Sequence, residues 1–239
     1  MRAIAITLAA LGLAGCVETG RTYVELPLSG EGVADEPFDA GEWTIDLDRA
    51  DVAFGPLWLC STESASPEHC ETSILELTET VTIDALDPEA RMLATTYGIT
   101  GTVRSAMWDY GISWLPAAPR PRANEGAPDG HSARFAGEAT HPDGRRFAFT
   151  SDVDLPPIMQ GAIVVRGRRV DAHSVTTDDA LVVHVDPRAW WRRVDLDRLA
   201  ARADAGEDPV VIAPGEADYE ALVVAMTASA LPSLEWRAP

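Results

Sequence analysis

Hydrophobic and polar positions alternate with a period of two over most of the chain from Trp43 to Asp186. Beyond Asp186-Pro187 the spacing lengthens to that of helices. Trp43, Ile45 and Leu47 share one side of an extended backbone while Thr44, Asp46 and Asp48 share the other, as a strand with one wet face requires. An apolar run at Leu57–Cys60 follows a Gly55-Pro56 break, and residues 73–86 continue the alternation less regularly. The longest extended stretch is Thr102–Leu115, where Trp108, Tyr110, Ile112 and Trp114 recur at every second position, the spacing of a sheet core. Pro116–Gly130, with its prolines and glycines and nothing more apolar than alanine, reads as a long exposed loop suited to partner contact.

His141-Pro142-Asp143-Gly144 has the chemistry of a turn, proline presetting the first central position and glycine ending it. It joins a strand bearing Phe135 to one bearing Phe147 and Phe149. A strand at Ala162–Arg166 follows, then a hairpin of Asp171–Thr176 with Ala180–Asp186. Asp195–Ala205 and Glu216–Ala230 read as helices, the second with Tyr219, Leu222, Val223, Met226 and Ala230 on one stripe. The expectation is an α+β domain, mainly an antiparallel β-sandwich or open barrel, with two C-terminal helices covering a sheet edge or one end.

The amino terminus departs from this pattern. One positive charge, Arg2, precedes an apolar run from Ala3 to Leu13, too short to span a bilayer and of signal-peptide length. The run ends in Leu13-Ala14-Gly15-Cys16, which resembles the lipobox of bacterial lipoproteins. That resemblance implies cleavage before Cys16, diacylation of its sulfur and often acylation of the new amino group, hence stable anchoring where a single acyl chain binds only marginally. It makes residues 1–15 a signal peptide and Cys16 the lipidated residue, and gives the protein the membrane as a partner. The absence of Asp after the cysteine agrees with outer-membrane sorting in enterobacteria. Residues 16–41, mostly Gly, Glu, Asp, Pro and Ala, read as a tether with one strand-like stretch at Tyr23–Leu28 able to add a sheet edge. Residues 42–239 are left as a single globular domain.

Composition narrows the partners. Asp and Glu number 38 against 19 basic residues, a formal net charge of −19, and every basic residue is arginine. The P-loop lysine, Schiff-base chemistry and lysine general bases are thereby excluded. No basic face is available to displace phosphate counterions, so no nucleic-acid partner is expected. With Cys16 lipidated, the remaining cysteines are Cys60 and Cys70, which an oxidising compartment allows to bond across the polar segment 61–69. The alternative is a Cys-His-Cys metal site through His69, at a spacing that fits no zinc framework.

Gly130-His131-Ser132-Ala133-Arg134 begins like a nucleophile elbow, but arginine stands where the strained turn needs a second glycine. The acidic pairs Asp46/Asp48 and Asp152/Asp154 read as solvated strand faces. If the last hairpin turns on Asp178-Asp179, His173 lies opposite His184 with Cβ atoms about 5 Å apart, close enough to share a copper or zinc ion with Asp171 or Asp186 as oxygen ligand. A four-residue Thr176–Asp179 loop makes the pair diagonal instead. The run Val182–Leu199 is similar to segments of MbnP-like periplasmic copper-associated proteins, with no motif that maps a copper ligand onto this chain. These readings converge on a lipid-anchored cell-envelope protein with a non-enzymatic binding role for a small ligand or metal ion. The alternative is a structural or interaction lipoprotein that docks a protein partner of an envelope complex.

Overall fold

The computed structural model describes residues 20–63, 70 and 73–238; residues 1–15, expected to be a signal peptide, and Cys16 lie outside the described residues. In chain order the strands begin with β1 (Tyr23–Glu31), β2 (Phe38–Ala40), β3 (Trp43–Phe54), β4 (Leu57–Cys60), β5 (Ser73–Leu77), β6 (Val81–Asp84), β7 (Arg91–Ile99) and β8 (Gly101–Trp108). They continue with β9 (Ile112–Ser113), β10 (Arg122–Ala123), β11 (Ala133–Thr140), β12 (Arg146–Val153), β13 (Val165–Val175) and β14 (Ala180–His184). The helices α1 (Arg188–Trp191), α2 (Leu196–Asp204) and α3 (Ala217–Val224) follow, with β15 (Val210–Val211) before α3 and β16 (Ser233–Arg237) after it.

An eight-stranded sheet runs β13-β8-β4-β5-β7-β1-β14-β16, and a six-stranded sheet runs β15-β12-β11-β3-β2 with β6 also on β3. The inner faces share one apolar core, in which Leu26, Ile45, Phe54, Leu57 and Trp108 are fully buried. The fold is the expected α+β arrangement of curled, mostly antiparallel sheets with C-terminal helices.

The tether reading of residues 16–41 needs correction, because β1 and β2 belong to the domain. Val24, Leu26 and Leu28 are buried at period two, and β1 lies between β7 and β14 inside the larger sheet. Pro27 is tolerated because residues 23–27 pair with β7 only; pairing with β14 begins at Leu28. The long aromatic strand is also interrupted. Gly111 adopts φ +73°, turning the chain after Tyr110 so that β8 ends at Trp108 and β9 starts a small hairpin with β10. Segment 116–130 is pinned rather than free: Asn124 Nδ2 donates to Thr80 Oγ1 and Ser113 Oγ, and Thr82 Oγ1 donates to the Gly126 carbonyl.

The His141–Gly144 turn forms as expected, with Gly144 N–H donating to the His141 carbonyl between β11 and β12. Helix α2 has Asp195 as its N-cap, accepting from Arg198 N–H, and packs with α3 on the β12/β15 side of the smaller sheet. Trp190 and Trp191 on α1 are fully buried against Phe135, and Trp190 Nε1 donates to the Ala230 carbonyl at 2.6 Å. They wedge the helical segment into the end of the core. Asp218 of α3, 2% exposed, is held bidentately by Arg198 at 2.8 and 2.9 Å and accepts from Asp195 N–H.

Candidate functional site

The curled larger sheet leaves one seam. β13 and β16 stand at its two ends, and no ladder joins them among the described residues. They meet through side chains, the His173 imidazole stacking on the Trp236 indole at 4.3 Å and an interplanar angle of 9°. The expected hairpin of β13 with β14 is therefore absent, although only residues 176–179 connect the two strands. β16 has taken the place between them.

This separates the two candidate metal ligands. His173 pairs in register with Val103, while His184 pairs with Glu31 and Ser233. Strand β16 and the unladdered seam lie between them: His173 stacks on Trp236, whose partner on β14 is Leu181, three residues or about 10 Å along the strand from His184, too far for both imidazoles to share an ion. Each histidine has its own carboxylate. His173 Nε2 lies 3.1 Å from Asp179 Oδ2; His184 lies between Glu31 (3.2 Å) and Glu235 (2.6 Å). Arg237 bridges those two glutamates at 2.9 Å from each, so a guanidinium already occupies the cationic position there. Hydrogen bonds from Arg237 and then His184 hold the Glu235 carboxyl down at about 2. Asp171 and Asp186 do not join either histidine; Asp186 is engaged by Arg188. No group of three His, Cys, Asp or Glu suited to a metal occurs among the described residues.

Where β13 and β16 diverge, the seam opens into a slot of about 780 Å³. Its lining includes the fully buried Leu59, Val103 and Trp108 of β4 and β8 and the partly exposed Leu234 and Trp236 of β16, and Arg104, Arg168 and Arg169 stand around it with the acids Glu63 and Asp171. The three arginines come from two neighbouring strands, Arg168 and Arg169 lying opposite Ala106 and Ser105 of β8. Glu63 pairs with Arg169 and, at 2.9 Å, with Arg104, and hydrogen bonds from these guanidiniums hold its carboxyl below the usual range. Of its lining, the sequence marks Trp108 as sheet core and Asp171 as an oxygen ligand for His173 and His184; it does not single out Glu63 and the three arginines, because positions 63, 104 and 168–169 come together only through strand order.

The expected Cys60–Cys70 disulfide is present, with sulfurs 2.02 Å and Cα atoms 5.7 Å apart. It fixes the base of the loop that carries Glu63, and Ser105 Oγ donates to the Thr62 carbonyl at 2.7 Å beside it. His69, the third member of the alternative metal site, lies outside the described residues; both sulfurs are spent on each other. Opening the crosslink is expected to lower stability by about 2–3 kcal/mol by releasing loop entropy to the unfolded chain. Denaturant midpoints of the oxidised protein and of a Cys60→Ala, Cys70→Ala double variant measure this directly; equal midpoints would refute it.

The elbow-like serine is no nucleophile candidate. Ser132 is fully buried and its Oγ accepts from Leu155 N–H, while the His131 ring faces Asp154 at 2.9 Å. Asp46, Asp48 and Asp152 are exposed on strand faces, as expected from their alternation.

A second concave place lies at the interruption after β8. Asp109 is 1% exposed, accepting from Val164 N–H at 2.9 Å and the Ser113 hydroxyl at 3.0 Å. Burial pushes its carboxyl up to about 6, against those two hydrogen bonds, which favour the ionised form. An unfolded aspartate ionises at about 3.9, so between the two values the native state binds more protons. The stability Asp109 contributes is therefore complete below about pH 4 and lost as pH rises through about 6. Asp109→Asn removes that slope, so relative to the parent it gains about 2–3 kcal/mol between pH ~4 and pH ~7.5. Urea titrations of both proteins at the two pH values check this; a difference independent of pH would refute it.

No family model matches the chain, and no curated protein matches it. Among solved structures it is similar to MbnP from Methylosinus trichosporium, at 12% identity over 85% of this chain and 87% of that one, with a TM-score of 0.33. A superposition this loose transfers no residue from one chain to the other.

Proposed function

We propose that this is a lipid-anchored cell-envelope protein with a non-enzymatic binding role, and that its ligand is a small anion with an apolar body held in the seam slot. The observation that carries the reading is the gathering of Arg104, Arg168 and Arg169, against the two acids Glu63 and Asp171, at one opening of a chain in which acids outnumber arginines 38 to 19. Guanidiniums recognise carboxylate and phosphate through paired, charge-assisted hydrogen bonds. The apolar side chains of Leu234 and Trp236 suit the rest of such a molecule, and about 780 Å³ falls within the usual range of ligand pockets. Glu63 supports the same reading: a carboxylate of the chain itself sits on Arg104 and Arg169, as a ligand carboxylate would. The address rests on Leu13-Ala14-Gly15-Cys16, and a Cys16→Ser form is expected to leave the membrane fraction.

Calorimetric titration of the full-length protein in non-ionic detergent with benzoate and phenyl phosphate tests the ligand class, with benzyl alcohol as the neutral control. Saturable binding of one equivalent of the anions is expected, weakened about tenfold by Arg168→Ala or Arg104→Ala. Glu63→Gln is expected to strengthen it several-fold by freeing two guanidiniums. Failure of both anions to bind, or unchanged binding by the arginine variants, would overturn the reading. The reading would then pass to a lipoprotein that docks an envelope protein partner.

A further inference from the structure

Two aspartates are buried among the described residues, and they are treated differently. Asp218 has Arg198 as its cation; Asp109 has only two neutral donors, and no ion pair reaches it. A carboxylate taken out of water without a counter-charge is costly, and proteins seldom keep one without a use for it.

Asp109 lines a pocket of about 190 Å³, and among the described residues it is the sole ionisable one there. Trp58 and Trp114 are among the walls, with Pro56, Ala162 and Ile163. Trp114 is positioned by Nε1 donating to the Ala118 carbonyl, and the same carbonyl accepts from Gln160 Nε2. Gln160 thus ties two loops together beside the pocket, one bearing Leu115 (65% exposed) and the other Ile158 (77%) and Met159 (57%). The carboxylate accepts one hydrogen bond at each oxygen, leaving a lone pair on each.

The geometry points to a binding site for a small organic ammonium ion carrying an apolar substituent, with Asp109 as its counter-charge and Trp58 and Trp114 as its aromatic walls. Charge complementarity selects a cation. The otherwise apolar lining selects an organic one, because a hard metal ion needs several oxygen ligands and this pocket offers one carboxylate. Indole faces attract ammonium groups through the ring quadrupole and accept their methylene or methyl groups. The exposed Leu115 continues the apolar surface outward for the substituent. The volume, about six water molecules' worth, fits a compact amine.

Titration of the full-length protein with benzylammonium tests this, against benzyl alcohol as the neutral isostere. One equivalent is expected to bind saturably, with the alcohol at least tenfold weaker. Asp109→Asn keeps an oxygen to accept from Val164 N–H but removes the charge, and is expected to weaken benzylammonium binding at least tenfold. Trp114→Leu, at a partly exposed position, is expected to weaken it several-fold whether or not the Asp109 variant folds. Absence of benzylammonium binding overturns the proposal, as does equal binding of the alcohol or undiminished binding by a folded Asp109→Asn. None of these results bears on the anion slot, whose arginines lie outside this pocket.

Discussion

Replacing Trp191 with alanine is expected to cost about 3–5 kcal/mol, a large part of the stability of an ordinary domain. The side chain is fully buried, 4.3 Å from Phe149 and 5.7 Å from Phe135 between ring centroids, in the layer that joins α1 to the six-stranded sheet. Truncation opens a cavity that β11 and β12 cannot collapse into without breaking their own ladder. The neighbouring indole makes the prediction specific. Trp190 Nε1 bonds the Ala230 carbonyl, whereas Trp191 Nε1 is buried with no hydrogen-bond partner among the described residues. Trp190→Phe therefore loses a hydrogen bond and orphans a carbonyl, at about 1–3 kcal/mol beyond the change in packing. Trp191→Phe loses no bond, suffers only the packing change, and is expected to cost about 1–3 kcal/mol less than Trp190→Phe. Urea unfolding followed by far-ultraviolet circular dichroism separates the two; equal costs for the phenylalanine variants would show that the hydrogen bond to Ala230 contributes nothing.

The strands that period-two alternation exposed were those with one wet face. Trp43-Ile45-Leu47 and the Phe135 and Phe147/Phe149 hairpin stand where the pattern and the Pro-Asp-Gly turn put them. What failed was strand order. A connection as short as residues 176–179 ordinarily makes a hairpin, and the pairing of His173 with His184 depended on that rule. The C-terminal Ser233–Arg237 segment overrides it, pairing with β14 and leaving β13 to β8. Nothing local in β13 or β14 announces that a strand some fifty residues later will lie between them.

The same topology hid both candidate sites. The slot arginines were legible as residues but not as a group, since their convergence is a property of the seam. Asp109 stands between Trp108 and Tyr110, on the face opposite the aromatic run if the strand is taken as unbroken. It is buried because the strand ends at Trp108, so that Asp109 turns between Pro56, Ser113 and Val164 instead of facing solvent. The lone clue in the sequence was Gly111, a residue free to take the positive φ that breaks such a run.

Gly98→Ala is expected to destabilise the protein by about 3 kcal/mol, at the upper end of overpacking costs and opposite in sign to the usual effect of replacing a strand glycine. Gly98 is the penultimate residue of β7, paired on one side with Val24 of β1 and on the other with Leu75 of β5. A Cβ built there falls 1.9 Å from the Ile74 carbonyl oxygen and 2.9 Å from the Leu75 Cα. Those are backbone atoms, so relief requires β5 to move away from β7. Gly101→Ala supplies the control: its Cβ meets the tip of the same Ile74 side chain at 2.8 Å, which rotates aside, and the cost is expected to stay below about 1 kcal/mol. The displacement also reaches the slot, because Leu75 of β5 pairs with Leu59, a buried part of its lining. Gly98→Ala is therefore expected to lower both the urea midpoint and the affinity for benzoate, while Gly101→Ala leaves both near parental values. A Gly98→Ala protein with the parental midpoint would show that β5 and β7 are not held as closely as this register requires.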